Sequence, residues 1–468
     1  MAAFFGRTQE KKRLARFFSS EVENAALVYG RRRVGKSALI VESLRETGVR
    51  ALYFECMQAQ EAINIESLSM LAAETLGSGA LPFRRLDQFL DYLFRQAKDE
   101  PLVLVLDEWP SLRDGVQGAD SILQSFLDRY RGKSRLKVVL CGSYVSAMEQ
   151  TLSSRNPLYG RFGLVLKLLP MDYLEASLFY PDFSSEDKVR LYAVFGGIPY
   201  YNALIDSRQS VRENLLRLVV SPNARLESEV SDFLRMEYSK IASANSVFDA
   251  IAGGAFRFSD ILSKSALPTS AALSAVLAKL TDLGILEKNA PINDEGNRKK
   301  AGYVIADGLS LFFYRYIHRN LSSRRVMEEE AFFDRFVRDD FETEFVPKRF
   351  ERICAEFLVR KNRRGEIEPP FEKIGRYRYD IPAEKKNGEF DVVTQDPRGY
   401  CFYEAKFRKG AVTGGMIGKE IEQVLATGLS AYRFGFFSRS GFEEGAREAA
   451  GEHPAVFYSL DDLYREVP

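Results

Sequence analysis

The stretch Ala25-Ala26-Leu27-Val28-Tyr29-Gly30-Arg31-Arg32-Arg33-Val34-Gly35-Lys36-Ser37 constrains this chain more than any other. A short apolar run ends at Gly30, four residues intervene, and Gly35-Lys36-Ser37 lead into the helical pattern of Ala38-Leu39-Ile40. Strand, glycine-rich loop and helix in that order form a phosphate cradle. Successive backbone N–H groups must curl around phosphate oxygens, and a side chain at either glycine would block the approach. The helix that follows adds the positive end of its dipole. Gly30, Arg31, Arg32, Arg33, Val34, Gly35 and Ala38 are therefore expected to line a nucleoside triphosphate, ATP. Lys36 would reach its β- and γ-phosphates and Ser37 would ligate Mg²⁺.

The remaining composition limits what such a domain works on. A chain of 468 residues is too long for one ordinary core and suggests three domains. Its 46% apolar and 28% charged residues are those of a soluble globular protein. With a net charge of +1 no global field attracts nucleic acid or membrane, so any nucleic-acid surface has to be local. Cys56, Cys141, Cys354 and Cys401 are scattered, which argues against a disulfide framework or structural zinc and fits a reducing cytoplasm. His318 and His453 are the two histidines, leaving little room for histidine-based catalysis. Neither a signal segment nor an apolar run of membrane-spanning length is present, so a cytoplasmic location and no membrane partner are expected.

Three further motifs complete the nucleotide site. Pro101-Leu102-Val103-Leu104-Val105-Leu106-Asp107-Glu108 reads as a strand buried on both faces, with an acidic pair at its carboxyl end. Asp107 would hold magnesium through water, and Glu108 would orient or activate the attacking water. Leu136 to Ser143 is another buried strand, placing Ser143 where a sensor residue meets the γ-phosphate or that water. Alternating strands and helices from 25 to about 170 predict a doubly wound α/β sheet. Gly6-Arg7 precedes the first strand, where an N-terminal arm would fold over the adenine. Arg161, in Asn156-Pro157-Leu158-Tyr159-Gly160-Arg161-Phe162, is placed to act as a finger on the transferred phosphoryl group, in cis or from a neighbouring subunit. Gly196-Gly197-Ile198-Pro199 offers a proline to pack on the base. Together these motifs resemble the archaeal-type ATPases of the STAND class of AAA+-like P-loop proteins, over roughly residues 1–235. A homo-oligomer is one alternative left open by Arg161.

Residues 240–320 read as three helices and a hairpin, a winged-helix pattern that also resembles the middle domain of that family. Thr269 or Ser270 would cap the third helix, and the hairpin loop Asn293 to Lys300 is polar with a basic end. The third helix exposes mostly Ser and Ala, with Lys279 its one basic residue, so packing against protein is at least as well supported as reading DNA. A sequence-specific transcription regulator is the weakest reading.

The C-terminal stretch carries a second chemistry. Gly388 to Val393 holds Asp391, and Tyr400 to Phe407 holds Glu404 and Lys406 two apart, on one face of a strand. A turn at Asp396-Pro397-Arg398-Gly399 would bring Asp391 beside them. Asp391 and Glu404 can share Mg²⁺, while Lys406 orients or deprotonates the attacking water. This arrangement resembles the restriction-endonuclease-like superfamily and its D…E-x-K site; the resemblance implies Glu351 as a first-helix acid and Gln423 as a supporting polar residue. The resulting expectation is an ATPase domain with helical lid (1–235), a winged-helix domain (236–325) and a restriction-endonuclease-like α/β domain (326–468). ATP and Mg²⁺ are its cofactors and nucleic acid, most simply DNA, its partner. In the alternative, the ATPase is a regulatory switch whose last domain only binds nucleic acid or a partner protein.

Overall fold

The computed structural model describes residues 4–237, 241–297, 301–381, 386–429 and 431–465. The chain divides into two compact units, Met1–Pro170 with Ile198–Tyr200, and Met171–Gly197 with Tyr201–Pro468. The domain edges expected at 235 and 325 both fall inside the second unit.

The first unit is built on five parallel strands: β1 (Ala25–Tyr29), β2 (Ala51–Glu55), β3 (Leu102–Asp107), β4 (Leu136–Gly142) and β5 (Leu164–Lys167). Their spatial order is β2-β3-β4-β1-β5. Burial follows from that order. Every residue of β1, β3 and β4 is buried, as expected for central strands covered on both faces. The flanking strands β2 and β5 alternate buried and half-buried positions and end on exposed Glu55 and Lys167. Because all five strands run the same way, their carboxyl ends form one edge, and the strands carrying the phosphate loop and the acidic pair are separated there by β4.

The second unit contains three helices followed by a strand pair, in the order expected from the sequence, and the C-terminal sheet. Helices Ile241–Ala252, Phe258–Lys264 and Ser270–Asp282 precede an antiparallel pair, β6 (Leu286–Asn289) and β7 (Gly302–Ile305). Thr269, not Ser270, caps the third helix, its hydroxyl accepting from the Ala272 N–H at 3.1 Å. Part of the expected basic loop, residues 298–300, lies outside the described residues. The segment after β6 runs along the C-terminal sheet: Ile292 N–H donates to the Arg376 carbonyl at 2.8 Å, and the Asn293 side chain bonds both backbone groups of Arg378.

That sheet follows helix Val346–Arg363 and consists of β8 (Lys373–Ile381), β9 (Lys386–Asp396), β10 (Gly399–Lys406), β11 (Ala431–Ser438) and β12 (Ala455–Ser459). Their order is β12-β11-β10-β9-β8. The β8–β9 and β9–β10 pairs are antiparallel, while β10–β11 and β11–β12 are parallel. The β9–β10 hairpin turns between Asp396 and Gly399, as the Asp-Pro-Arg-Gly sequence predicts. Helix Gly414–Ala426 supplies the crossover that a parallel β10–β11 pair needs. Its apolar residues Ile417, Ile421 and Val424 pack with Phe390, Phe402 and Phe434 of the sheet.

Candidate functional site

At the carboxyl edge of the first sheet the phosphate loop takes the shape its glycines permit. Gly30 has φ 157°, and a Cβ there would stand 2.3 Å from the Leu168 carbonyl oxygen. Gly35 has φ 94° and starts helix Lys36–Thr47. Lys36 is buried, and its ammonium donates to the Arg31 carbonyl across the loop at 3.2 Å. Ser37 and Ala38 face solvent.

Ser37 Oγ donates to Asp107 Oδ2 at 2.6 Å, and the Tyr53 phenol donates to the same oxygen. The Glu108 N–H donates to Asp107 Oδ1 at 3.0 Å. Burial works to raise the Asp107 pKa, but hydrogen bonds from Cys141, Ser37, Tyr53 and Glu108 outweigh it and hold the carboxyl below its usual range. A carboxylate and a hydroxyl this close at an open edge are hard oxygen donors of the kind Mg²⁺ takes. Glu108 adopts the left-handed conformation, φ 54°, uncommon for a residue with a side chain. Its carboxylate accepts from Ser143 twice, from Oγ at 2.5 Å and from the backbone N–H at 3.2 Å. The acidic residue and the expected sensor thus meet directly.

Arg7 is buried, in the left-handed region at φ 59°, directly after Gly6 at φ 64°. Its guanidinium donates to the carbonyls of Val34 (3.2 Å) and Leu169 (2.6 Å). It therefore ties the phosphate loop to the chain leaving β5. Pro199 lies beside Gly35, whose Cβ would meet it at 3.6 Å, and the Arg33 guanidinium stands 4.1 Å from the Tyr200 ring centroid. Arg31 is buried and Arg32 exposed.

Arg161 requires a correction. It lies just ahead of β5, where the Gly163 N–H donates to the Ala25 carbonyl at the start of β1. Its guanidinium pairs with Asp128 at 2.8 Å, at the end of the helix that leads back to the start of β4. Both residues thus occupy the amino edge of the sheet. Five residues of strand at about 3.3 Å each put the phosphate loop roughly 16 Å away. An arginine finger acting in cis is excluded by that distance.

The second unit gathers the other expected residues on one face. Tyr403 pairs with Val392 across the hairpin, so the next residue, Glu404, stands beside Asp391. The β8–β9 register shifts between Gly375 and Tyr377, leaving Asp391 and Val392 opposite Arg376. A bulge of this kind re-aims side chains, and here Val392 and Val393 are both buried while Asp391 is exposed. Glu351 reaches the same place from helix Val346–Arg363. Burial, then repulsion from Asp391 and Glu404, pushes its carboxyl up to about 9, only partly relieved by Arg376. Burial and Glu420 likewise raise the Glu404 pKa. Lys406 pairs with both Glu404 and Glu420. Burial disfavours its ammonium, but those two carboxylates prevail and raise its pKa.

Sequence reasoning missed Glu420 and Arg376. Gln423, expected to support the site, instead donates to the Tyr379 hydroxyl at 3.2 Å, and Glu420, one turn earlier on the helix, faces Lys406 at 3.0 Å. Arg376 stands 3.4 Å from Asp391. Among the described residues no group of three Asp, Glu, His or Cys side chains is arranged to hold a metal ion. Glu351, Asp391 and Glu404 nonetheless repel one another across this face.

The first unit is, by fold and edge geometry, a P-loop nucleotide-binding domain. Residues 4–205 match a family described as an ATPase domain predominantly from Archaea, and residues 313–421 a family described as archaeal and bacterial proteins of unknown function. An uncharacterized protein of Methanocaldococcus jannaschii is 27% identical over 408 residues, 86% of this chain and 88% of that one. A Walker-type ATPase of Pyrococcus abyssi shares the fold at a TM-score of 0.51 and 20% identity, covering 67% of this chain and 96% of its own. The ORC2 protein of Aeropyrum pernix matches at a TM-score of 0.47 and 15% identity, over 68% and 94% of the two chains. No helix among the described residues is long and apolar enough to cross a membrane, and the four cysteines are free and buried.

Proposed function

We propose that this protein binds and hydrolyses ATP with Mg²⁺ and that hydrolysis licenses a phosphodiester-cleaving site in the C-terminal sheet, acting on nucleic acid. The match of residues 4–205 to an ATPase domain supports the first half. The observation that carries the second is the convergence of Glu351, Asp391, Glu404 and Lys406 on one face of a mixed sheet, from a helix and two hairpin strands. In the first unit Ser37 and Asp107 would hold Mg²⁺, which screens phosphate charge when bound. Lys36 exchanges the Arg31 carbonyl for phosphate oxygens, and Glu108, steadied by Ser143, accepts a proton from the attacking water. In the second unit Asp391 and Glu404, with Glu351 beside them, would hold a divalent cation. Lys406, paired with Glu404 and Glu420, orients or deprotonates the attacking water.

The domain division 1–235, 236–325 and 326–468, the STAND-class assignment and the restriction-endonuclease-like assignment belong to this proposal. So does a cytoplasmic location, and any part for Arg161 is confined to action on a neighbouring subunit. One observation favours the second reading, a C-terminal domain that only binds: Asp391 and Lys406 are both engaged in ion pairs. Cleavage of plasmid, linear and single-stranded DNA with Mg²⁺ or Mn²⁺, with and without ATP, separates the two. Cleavage lost in Lys406→Ala and ATP-dependent in wild type, but not in Lys36→Ala, supports the enzyme. ATP hydrolysis without any cutting refutes the nuclease half.

A further inference from the structure

The second unit holds a cavity of about 440 Å³ that includes neither the phosphate loop nor the carboxylate face. Its lining comes from the end of helix Ile241–Ala252, at Gly253-Gly254, and from residues in and beside two π-helical turns, Phe313–Ile317 and Phe341–Phe345. Turns of that width are rare and frequently mark functional sites. Three cations, Arg315, Arg319 and Lys348, face one carboxylate, Asp340, in this lining. Asp340 is fully answered. Arg315 grips it with two nitrogens at 2.6 Å each, and the Tyr316 phenol donates to it at 2.5 Å. The other two cations are held loosely. Arg319 donates to the Asp249 carbonyl, but the Asp249 carboxylate is 4.0 Å from its Nε and is engaged by His318 at 3.0 Å. Lys348 is 65% exposed and stands 3.9 Å from Glu344, beyond hydrogen-bond distance. Gly253 leaves room for this arrangement, since a Cβ there would stand 2.3 Å from the Arg319 guanidinium.

We propose that this cavity is an anion site that takes the phosphate group of a nucleotide or of a nucleic-acid strand, with Arg319 and Lys348 supplying the charge. Turning to a phosphate costs these two side chains no hydrogen bond to a carboxylate, and charge-assisted bonds to phosphate are the strong kind. Arg315, by neutralising Asp340, keeps the lining from repelling the ligand. Half-buried Phe336 lines the same cavity and offers an aromatic surface to the attached base. Lys348 also lies three residues before Glu351 on helix Val346–Arg363, so a strand anchored here starts about one helical turn from the carboxylate face. The anion site goes beyond the cleavage reading and does not depend on it.

Fluorescence anisotropy of a labelled short oligothymidylate on the full chain, without divalent cation and across a salt series, tests the inference. Wild type, Lys348→Gln, Lys348→Arg, Arg319→Gln and Lys36→Ala are compared. Lys348→Gln is decisive, because that side chain is exposed and its loss leaves no buried group unpaired. It is expected to bind about fivefold more weakly, the effect of one charge close to a phosphate at the surface. The slope of log affinity against log salt should fall by about 0.7 with it. Arg319→Gln is expected to weaken binding at least as much, while Lys348→Arg and Lys36→Ala bind as wild type. Displacement of the label by thymidine monophosphate assigns the cavity to a mononucleotide, and binding of the strand alone assigns it to a strand; both support the anion site. Binding unchanged in Lys348→Gln, whatever Arg319→Gln does, overturns it, as does a wild type that binds neither probe. The cleavage reading is decided separately, by cutting of plasmid in Lys406→Ala.

Discussion

Glu351 gives the most discriminating perturbation. Its carboxyl is pushed from an ordinary 4.5 to about 9, first by burial and then by Asp391 and Glu404. A proton is therefore bound more tightly in the folded state than in the unfolded chain. Below pH 4.5 both states are protonated and nothing is lost. As pH rises from 4.5 towards 9 the unfolded chain ionises while the folded protein does not, so stability falls across that window. The full interval corresponds to at most ~6 kcal/mol. Solvent reaches this half-buried group and three carboxylates share the repulsion, so about 2 kcal/mol is the realistic size. Glu351→Gln keeps the shape and removes the ionisation. The variant should match wild type at pH 5 and melt roughly 3–5 °C higher at pH 8.5. Scanning calorimetry of both proteins at the two pH values is the assay, read on the transition of the C-terminal unit. A melting difference independent of pH, or a less stable variant at pH 8.5, would refute the reasoning.

Three further outcomes are expected. Tyr53→Phe deletes one hydrogen bond to the Asp107 carboxylate but leaves three, so the Mg²⁺ needed for half-maximal ATP turnover should rise about tenfold, with kcat at saturation little changed. A fall in kcat without a change in Mg²⁺ requirement would contradict this. Gly30→Ala brings a Cβ to 2.3 Å from the Leu168 carbonyl and should destabilise the first unit by about 2–4 kcal/mol on denaturant titration, with ATP binding lost as well. Arg161→Ala breaks a half-exposed ion pair worth under about 1 kcal/mol. At concentrations where the protein is a monomer, ATP hydrolysis should be unaffected, and a large loss there would return the finger to its own subunit.

What the sequence disclosed followed from how local each requirement is. A phosphate cradle is made by consecutive backbone groups, so Gly30, Gly35, Lys36 and Ser37 announce it without reference to the rest of the chain. The β9–β10 hairpin was equally legible, since its turn chemistry and the two-residue spacing of Glu404 and Lys406 lie within one short segment. Tyr53, Cys141 and Glu420 were not, because each acts through strand order or a helix crossing that no nearby residue encodes. Arg376 depends on a bulge, and one extra residue on β9 leaves no mark in the alternation of β8. The signal that would have placed Arg161 was present. An arginine three residues before the apolar run Leu164 to Leu166 lies at the amino edge of a parallel sheet if that run is a strand, but the run is short enough to pass as loop. Arg7 was expected over the ligand, and its tie to the Val34 and Leu169 carbonyls depends on contacts far along the chain that its own neighbours do not encode.

The Ile292–Asn293 segment has a consequence for solution behaviour. It covers the Arg376 carbonyl and both backbone groups of Arg378, so the β8 border of the C-terminal sheet is not left bare. Any change that lifts it uncovers a row of unpaired donors and acceptors beside the apolar patch that Ile292 filled. Such a border pairs readily with a second chain, so the opened form has a higher tendency to self-associate than the closed one. The Ile292–Asn293 segment therefore protects colloidal stability as well as the register of β8.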